Sequence, residues 1–323
     1  MSCIGPAGGR PDVKLALKIP RDRPFDVVGL GLNAVDFLCV IPRFPEPNTK
    51  LRMLQFARQG GGQVATALVT CARLGLRTKY IGKVGSDDLG RFSRASLVEE
   101  GVEASDVMVA VGARSQFAVI LVEGATGDRT ILWDRDARLA LRPDELDPEK
   151  VCAGRVLHLD GHDVAAPLQA ARWARARGIP VVLDAETVKE GTAELVRCVD
   201  VLITAAGFPQ ELSGVTDEAK ALRALARLGP SVVCVTLGVR GALALYRGRF
   251  FPAPAFKVEC VDTTGAGDVF HGAFIYGMLK GWALQTILRF ANAAAAMKCR
   301  GLGGRQAIPT LHELREFLRH GET

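Results

Sequence analysis

The sequence predicts an α/β fold: a central, mostly parallel sheet with helices on both faces and a small β-sheet lid. Three observations carry this expectation. From about Val156 onward, short apolar strands alternate with helical segments, the rhythm of repeated βα units whose strands are buried on both faces. Before that point, a Pro-broken stretch and two alternating segments fit no such sheet and read as a separate flap. Hydrophobic residues make up 48% of the 323-residue chain, so a large core is within reach.

The elements follow in order. Residues 1–24, rich in Gly, Pro and charge, read as a poorly ordered leader without the apolar segment of a signal peptide. The rest, 25–320, reads as one domain. "FDVVGLGLNAVD" opens with the first strand. Pro42, Pro45 and Pro47 then forbid a regular helix. "GGGQVATALVTCARLG" starts on glycines and continues as an Ala-rich helix. "TKYIGKVG" is a strand and "DDLGRFSRASLVEEG" a helix. "SQFAVILVE" and "DRTILWD", joined by "GATG", predict a hairpin. The lid is expected in two segments, about 37–58 and 107–135. Strands "RVLHLDG", "PVVLDAE", "VDVLIT" and "SVVCVTLG" alternate with helices after that, and "ALALYRGRFFPAP" is a second hairpin. "FKVECVD" reads as a strand leading into the helix "TGAGDVFHGAFIYGMLKG". Two more helices, "ALQTILRFANAAAAMKCRG" and "LHELREFLRHG", close the chain.

Bulk properties exclude several function classes. The net charge of +6 is modest, and no run of Lys and Arg forms a nucleic-acid stripe. No apolar stretch approaches the length that spans a bilayer. Eight cysteines occur without a C-x-x-C or metal-ligand spacing, so reduced thiols in a cytoplasmic protein are the simplest account.

Two motifs compete for the chemistry. "GLGLNA" (29–34) matches the dinucleotide fingerprint and follows a strand. That mechanism needs a helix to open at the last position, and the β-rich, Pro-broken "VDFLCVIPRFPEP" cannot supply one. What survives is the placement of Asn33 and Asp36 near the C-terminal end of the first strand, the edge that faces ligands in open α/β sheets. The second motif is "VDTTGAGDVFHGAF" (261–274). A helix N-terminus offers unpaired amides and the positive end of a dipole. Glycines let a phosphate approach that backbone. "TGAGD" supplies both, so Gly265, Ala266 and Gly267 read as an anion hole and Asp268 as a general base for a hydroxyl. An ordinary capping carboxylate is the bland alternative for Asp268 alone.

"DTTGAGDVFHGAF" resembles the C-terminal signature of the ribokinase-like (PfkB) carbohydrate kinases. "GGGQVATALVTCARLG" is similar to that family's N-terminal glycine motif, and the likeness extends over roughly residues 26–318. The tail from Pro254 looks closest to ketohexokinases and to kinases of fructose-like sugars with an anionic tail. The resemblance implies an ATP-dependent transfer of the γ-phosphoryl to a primary hydroxyl of a monosaccharide, of ketose or sugar-acid type. It implies Asp268 as base and Gly265–Gly267 as anion hole. Asn33, Asp36, Gly61 and Gly62 would hold the sugar. Thr236, Gly238 and Gly241 would hold nucleotide phosphates. Asn292 and the loop through Gly301 and Gly303 would border adenine. Mg²⁺ would arrive with ATP, and Asp262 and Thr264 fall where many members bind a monovalent cation such as K⁺. Lids in this family often pair, so a homodimer is implied. Two departures stand out. Thr66 replaces the Asn of the glycine motif. The N-x-x-E that helps organise Mg²⁺ is absent, with Ala206 and Pro209 in its place.

Further candidates come from position. Lys50, in the Pro-rich segment, and Asp160, at a strand end in "HLDGHD", are placed among the substrate contacts. His158 and His162 are left as structural. Arg129 and Trp133 alternate on a lid strand whose register the sequence does not fix. A nucleoside kinase, with Phe117 and Trp133 forming a base slot, and a non-catalytic sugar or nucleotide sensor are the alternatives.

Overall fold

The computed structural model describes residues 13–320. Its first strands are β1 (Phe25–Leu30), β2 (Ala34–Ile41), β3 (Gln55–Gly61), β4 (Thr78–Gly85), β5 (Val102–Glu103), β6 (Val107–Ala110), β7 (Phe117–Glu123) and β8 (Arg129–Asp134). They are followed by β9 (Gly154–Asp160), β10 (Val181–Ala185), β11 (Val201–Thr204), β12 (Val232–Thr236), β13 (Ala242–Tyr246) and β14 (Arg249–Ala253). The helices are α1 (Gln63–Arg73), α2 (Asp88–Glu99), α3 (Pro148–Val151), α4 (Ala165–Ala176) and α5 (Thr192–Arg197). After them come α6 (Phe208–Ser213), α7 (Glu218–Leu228), α8 (Ala266–Leu279), α9 (Leu284–Lys298) and α10 (Leu311–His320).

The large sheet runs β14-β13-β12-β11-β10-β9-β1-β4-β5, with β6 also on β4. It is parallel from β12 through β5, while the β12–β13 and β13–β14 pairs at the far edge are antiparallel. Alternate side chains of each strand feed two different cores. Val27, Val156, Val182 and Ile203 join one cluster with α1, α8 and α9. Val28, Leu157, Leu183 and Leu202 join the other with α4 and α7. Burial on both faces is why these strands read as continuous Val/Leu/Ile runs.

The second sheet is β3-β2-β7-β8. Its hairpins β2–β3 and β7–β8 are antiparallel, and β2 and β7 join them in parallel. This is the flap the Pro-broken and hairpin segments predict, and the predicted α/β class with a small separate sheet is the observed one. The boundaries shift, however. Residues 107–110, expected in the lid, pair with β4 of the large sheet, so the small sheet begins its second half at Phe117.

Two further expectations need correction. The first half of the expected 1–24 leader lies outside the described residues. The second half is anchored: Val13, Leu15, Leu17 and Ile19 pack against the larger core, and the Lys14 backbone bridges to Ala283. The alternation Val-x-Leu-x-Leu-x-Ile is a period-2 signal that lays one side of an extended segment on the core. "FKVECVD" is not a strand. It runs as an irregular segment, held at its end by Val261 and Asp262 N–H donating to the Cys299 carbonyl, 2.8 and 3.2 Å. The seven cysteines among the described residues are all free thiols, and Cys3 lies outside them. No helix among the described residues is long and apolar enough to cross a membrane.

Candidate active site

The site lies at the C-terminal edge of the large sheet, where the small sheet folds over it. α8 begins there without any side-chain cap. Gly265 holds φ 75°, a left-handed turn that a side chain would strain, and a Cβ there would also strike Gly304 Cα at 2.8 Å. The Ala266 amide is turned back to the Thr263 carbonyl at 3.2 Å, and the Val269 amide starts the helical ladder on Gly265. The amides of Gly267 and Asp268 fall in the first turn, which has no intrahelical acceptors to offer. A Cβ at Gly267 would meet no protein atom, so the helix start opens onto free space.

Asp268 stands on that first turn. Burial pushes its carboxyl well above the usual carboxylate range, and repulsion from Glu186, Asp36 and Asp160 adds to the effect. Arg305 opposes it. Asp184, at the end of β10, is pushed up in the same way by burial and by Glu186 and Asp268. His271 bridges this pair of elements: its Nδ1 donates to the Gly267 carbonyl at 2.7 Å, and its Nε2 lies 3.5 Å from Asp184 Oδ1. Burial lowers the His271 pKa to about 4, so the ring is a neutral brace.

The acceptor side is built from β1, β2, β3 and α1. Asp36 is 6% exposed, and burial raises its pKa to about 6 despite the nearby Arg305 guanidinium. The glycine loop comes so close that a Cβ on Gly61 would lie 2.1 Å from Asp36 Oδ2. Gly62, at φ 90°, caps α1 beside the Asn33 backbone. Asn33 and Thr66 are both buried and both face Arg305: Asn33 Oδ1 accepts from Nη2 at 3.3 Å and Thr66 Oγ1 from Nε at 3.4 Å. The structure thus brings Asn33, Asp36, Gly61, Gly62 and Thr66 together.

Two expected substrate contacts do not join them. Asp160 is fully buried, and its oxygens accept the Leu32 amide at 2.6 Å and the His162 amide at 3.1 Å. It braces the end of β1 and has no exposed surface to offer a ligand. Lys50 is exposed on the connection between β2 and β3 and forms no salt bridge with any described residue.

On the nucleotide side, Thr236 ends β12 with its hydroxyl on the Thr204 carbonyl at 3.2 Å. Gly238 and Gly241 bound a single 3₁₀ turn just beyond it. Asn292 spends its amide on the Ala253 and Pro254 carbonyls, 2.9 and 3.0 Å, and so pins the segment leaving β14. Gly301 packs against Ala307. Gly303 sits on the acceptor side instead: its neighbours are Gln59 and Leu38 of the small sheet, and its amide donates to Asp262 Oδ2 at 2.7 Å. A left-handed φ of 78° and the close approach of Gln59 and Leu38 account for the glycine.

Asp262 and Thr264, expected at a monovalent-cation position, are tied to one another and to their neighbours. Asp262 Oδ1 accepts both the amide and the hydroxyl of Thr264, 2.9 and 2.8 Å, while Oδ2 holds Gly303. The Asp262 carbonyl accepts from Lys298 Nζ at 2.7 Å. Lys298 is fully buried, and burial lowers its pKa. An internal ammonium therefore already occupies the carbonyl of this turn.

Sequence reading missed Arg305, Lys298 and the Asp184–His271 pair. His271 sits inside "VDTTGAGDVFHGAF" without drawing notice there, and the other three lie in no motif that marks them. It also left the register of β8 open, and the fold settles it: Arg129 crosses to donate to the Thr263 hydroxyl beside the helix start. Trp133 is 61% exposed.

With this geometry in hand, the comparisons are specific. The model of the pfkB family carbohydrate kinases matches residues 25–311. The chain belongs to the pfkB family of carbohydrate kinases. A Haemophilus influenzae ribokinase is 27% identical over 90% of this chain and 97% of its own. A Shouchella clausii 5-dehydro-2-deoxygluconokinase is 29% identical over 94% and 98%. Among solved structures, a ribokinase candidate from Agrobacterium tumefaciens superposes with a TM-score of 0.85 at 28% identity, covering 91% of this chain and 97% of that one. The family reading made on "DTTGAGDVFHGAF" and the glycine motif is thereby the established one, and the chain is a sugar kinase of this family.

Proposed function

We propose that this pfkB-family kinase moves the γ-phosphoryl of ATP to a primary hydroxyl of a monosaccharide, of ketose or sugar-acid type. The single observation that carries the reading is the uncapped start of α8 with Asp268 on its first turn, opposite Asp36. Asp268 acts as general base. Its raised pKa brings it toward working pH, where a carboxylate accepts a proton most usefully. As the proton leaves, the acceptor oxygen bonds to the γ-phosphorus and the bond to the β–γ bridging oxygen breaks, releasing ADP. The growing equatorial charge is gathered by the amides of Gly265 and Gly267 and by the α8 dipole, while the Ala266 amide, expected in the anion hole, is held by the Thr263 carbonyl.

Asp36 and Asn33 orient sugar hydroxyls, with Gly61 and Gly62 supplying backbone at close range. Thr236, Gly238 and Gly241 support the nucleotide phosphates, and Gly301 borders adenine. The carboxylate oxygens of Asp184, Glu186 and Asp268 fit a magnesium ion that enters on ATP. Among the described residues, no three-ligand protein cage exists for it, so phosphate and water oxygens would hold it. Such a cation adds Lewis-acid neutralisation of the phosphates when bound. Lys298 takes the place suggested for a monovalent ion.

The kinases of ribose and of 5-dehydro-2-deoxygluconate among the relatives frame the acceptor test. Purified protein with Mg-ATP is offered ribose, fructose, 5-dehydro-2-deoxygluconate and adenosine, with ADP formation as readout. Phosphorylation of a free sugar or sugar acid supports the proposal. Turnover of adenosine alone moves the protein to the nucleoside kinases. ATP binding with no turnover of any acceptor favours a sensor.

We also propose a homodimer through the small sheet. Leu54, Phe56 and Leu132, on the outer side of its strands or their flanks, are 56–64% exposed. A row of this size on one sheet is what a partner copy would cover.

A further inference from the structure

Arg305 is a deeply enclosed cation beside the acceptor pocket. It is 5% exposed, and no described carboxylate lies within salt-bridge distance of it. A guanidinium kept inside a protein without an ion-pair partner is a poor stability device, since desolvation is offset only by its hydrogen bonds. The hydrogen bonds it makes point to another use. Nη2 donates to the Gly61 carbonyl at 2.6 Å and to Asn33 Oδ1 at 3.3 Å. Nε donates to Thr66 Oγ1 at 3.4 Å and Nη1 to Ser96 Oγ at 3.3 Å. One planar fork thus fastens the end of β1, the glycine loop, α1 and α2. The glycine loop is shaped around it: a Cβ on Gly60 would lie 2.4 Å from Nη1. The loop is then pressed onto Asp36, where only Gly61 fits.

We propose that Arg305 is a positioning residue for the acceptor, fixing Asn33 and the Gly61 backbone relative to Asp36. The inference rests on the kinase reading above. The charges that converge here are consistent with it. Asp268 faces Glu186, Asp36, Asp160, Asp184 and Arg305, and Asp36 faces Arg305, Asp262 and Asp268. Arg305 is the cation that lowers both. Reciprocally, burial brings its own pKa down to about 10, and Asp36 is the first carboxylate to counter that fall. It remains charged at neutral pH.

Two variants separate geometry from charge. Arg305→Met keeps length and loses both fork and charge. Arg305→Lys keeps the charge but cannot bridge Gly61 and Asn33 together. Both are assayed with the acceptor that the wild-type protein turns over fastest in the four-compound panel. Thermal unfolding and ATP affinity are measured alongside. For Arg305→Met, acceptor KM rises about tenfold or more. The acid limb of the kcat/KM profile moves up by about one pH unit, the size of a lost opposite charge nearby. For Arg305→Lys, KM rises similarly while the limb stays in place. ATP affinity is unchanged in both. A folded Arg305→Met with wild-type KM and acid limb overturns the proposal. So does a loss confined to melting temperature in both variants. If the wild-type protein phosphorylates nothing in the panel, the kinase reading falls and this proposal with it.

Discussion

The two sheets solve different problems with the same strand chemistry. The large sheet is buried on both faces by helices, and its two clusters hold Val, Leu, Ile and Ala at or near zero exposure. The small sheet has a compact inner cluster of Leu38, Ala118, Ile120, Val122 and Leu302, and an outer face with Phe56 and Leu132 in the open. The first therefore carries stability and presents rigid strand ends and the α8 turn. The second contributes Asp36, Gly61 and Arg129 to the site from a platform with far less apolar burial behind it. The difference suggests a division of labour: turnover belongs to the large-sheet side, and acceptor choice to the small-sheet side.

Asp268→Asn should give the largest effect. Steady-state assays are expected to show kcat down roughly a hundredfold or more, the usual contribution of a general base, with ATP affinity retained. Near-normal kcat would remove Asp268 from the mechanism. In the wild type, kcat/KM should fall as pH drops below the raised pKa of Asp268, because only the carboxylate form accepts the proton.

On the other side, Asp36→Asn should raise acceptor KM about tenfold or more while kcat changes less, the split expected of a residue that binds through a charge-assisted hydrogen bond. It should also stabilise the fold. The folded pKa of about 6 lies above the unfolded value near 3.8, so the folded state holds more protons between them. Stability is then lost as pH rises through that window, and the ionised buried carboxylate remains a cost above it. Relief of about 1–3 kcal/mol at pH 7, fading by pH 4, is expected in denaturant titrations. A kcat loss equal to that of Asp268→Asn would erase the proposed division.

Lys298→Met probes the turn between the two sides. It leaves the Asp262 carbonyl without its donor, at about 1–3 kcal/mol in chemical denaturation. The wild type should show the same rate when K⁺ is exchanged for choline. A strong K⁺ requirement in the wild type would mean that the ammonium does not serve this turn.

The smallest effect belongs to the outer face of the small sheet. Leu54→Ser combined with Leu132→Ser should shift stability by no more than about 0.5 kcal/mol per site, as exposed substitutions do. Light scattering should show the mass falling from two chains to one. An unchanged mass would leave this face without a partner copy.

Much of this was legible before any coordinates. The strand–helix rhythm after Val156, the flap, the absence of a dinucleotide helix after Ala34 and the "TGAGD" turn are local patterns, set by side-chain period, proline geometry and backbone freedom. The N-terminal alternation from Val13 to Ile19 was equally local and was hidden only by surrounding Gly, Pro and charge. Arg305, Lys298 and Asp184 were not legible, because each acquires its role from partners far along the chain: Thr66 is 239 residues from Arg305 and Gly61 is 244. The same reason moved Asp160 from ligand contact to brace and Gly303 from the adenine edge to the small sheet. Residue type and spacing determine which backbone can form and which groups are able to react. Which of those groups face one another, and how far burial and neighbouring charge displace their proton affinities, is decided only when distant segments share one low-dielectric space.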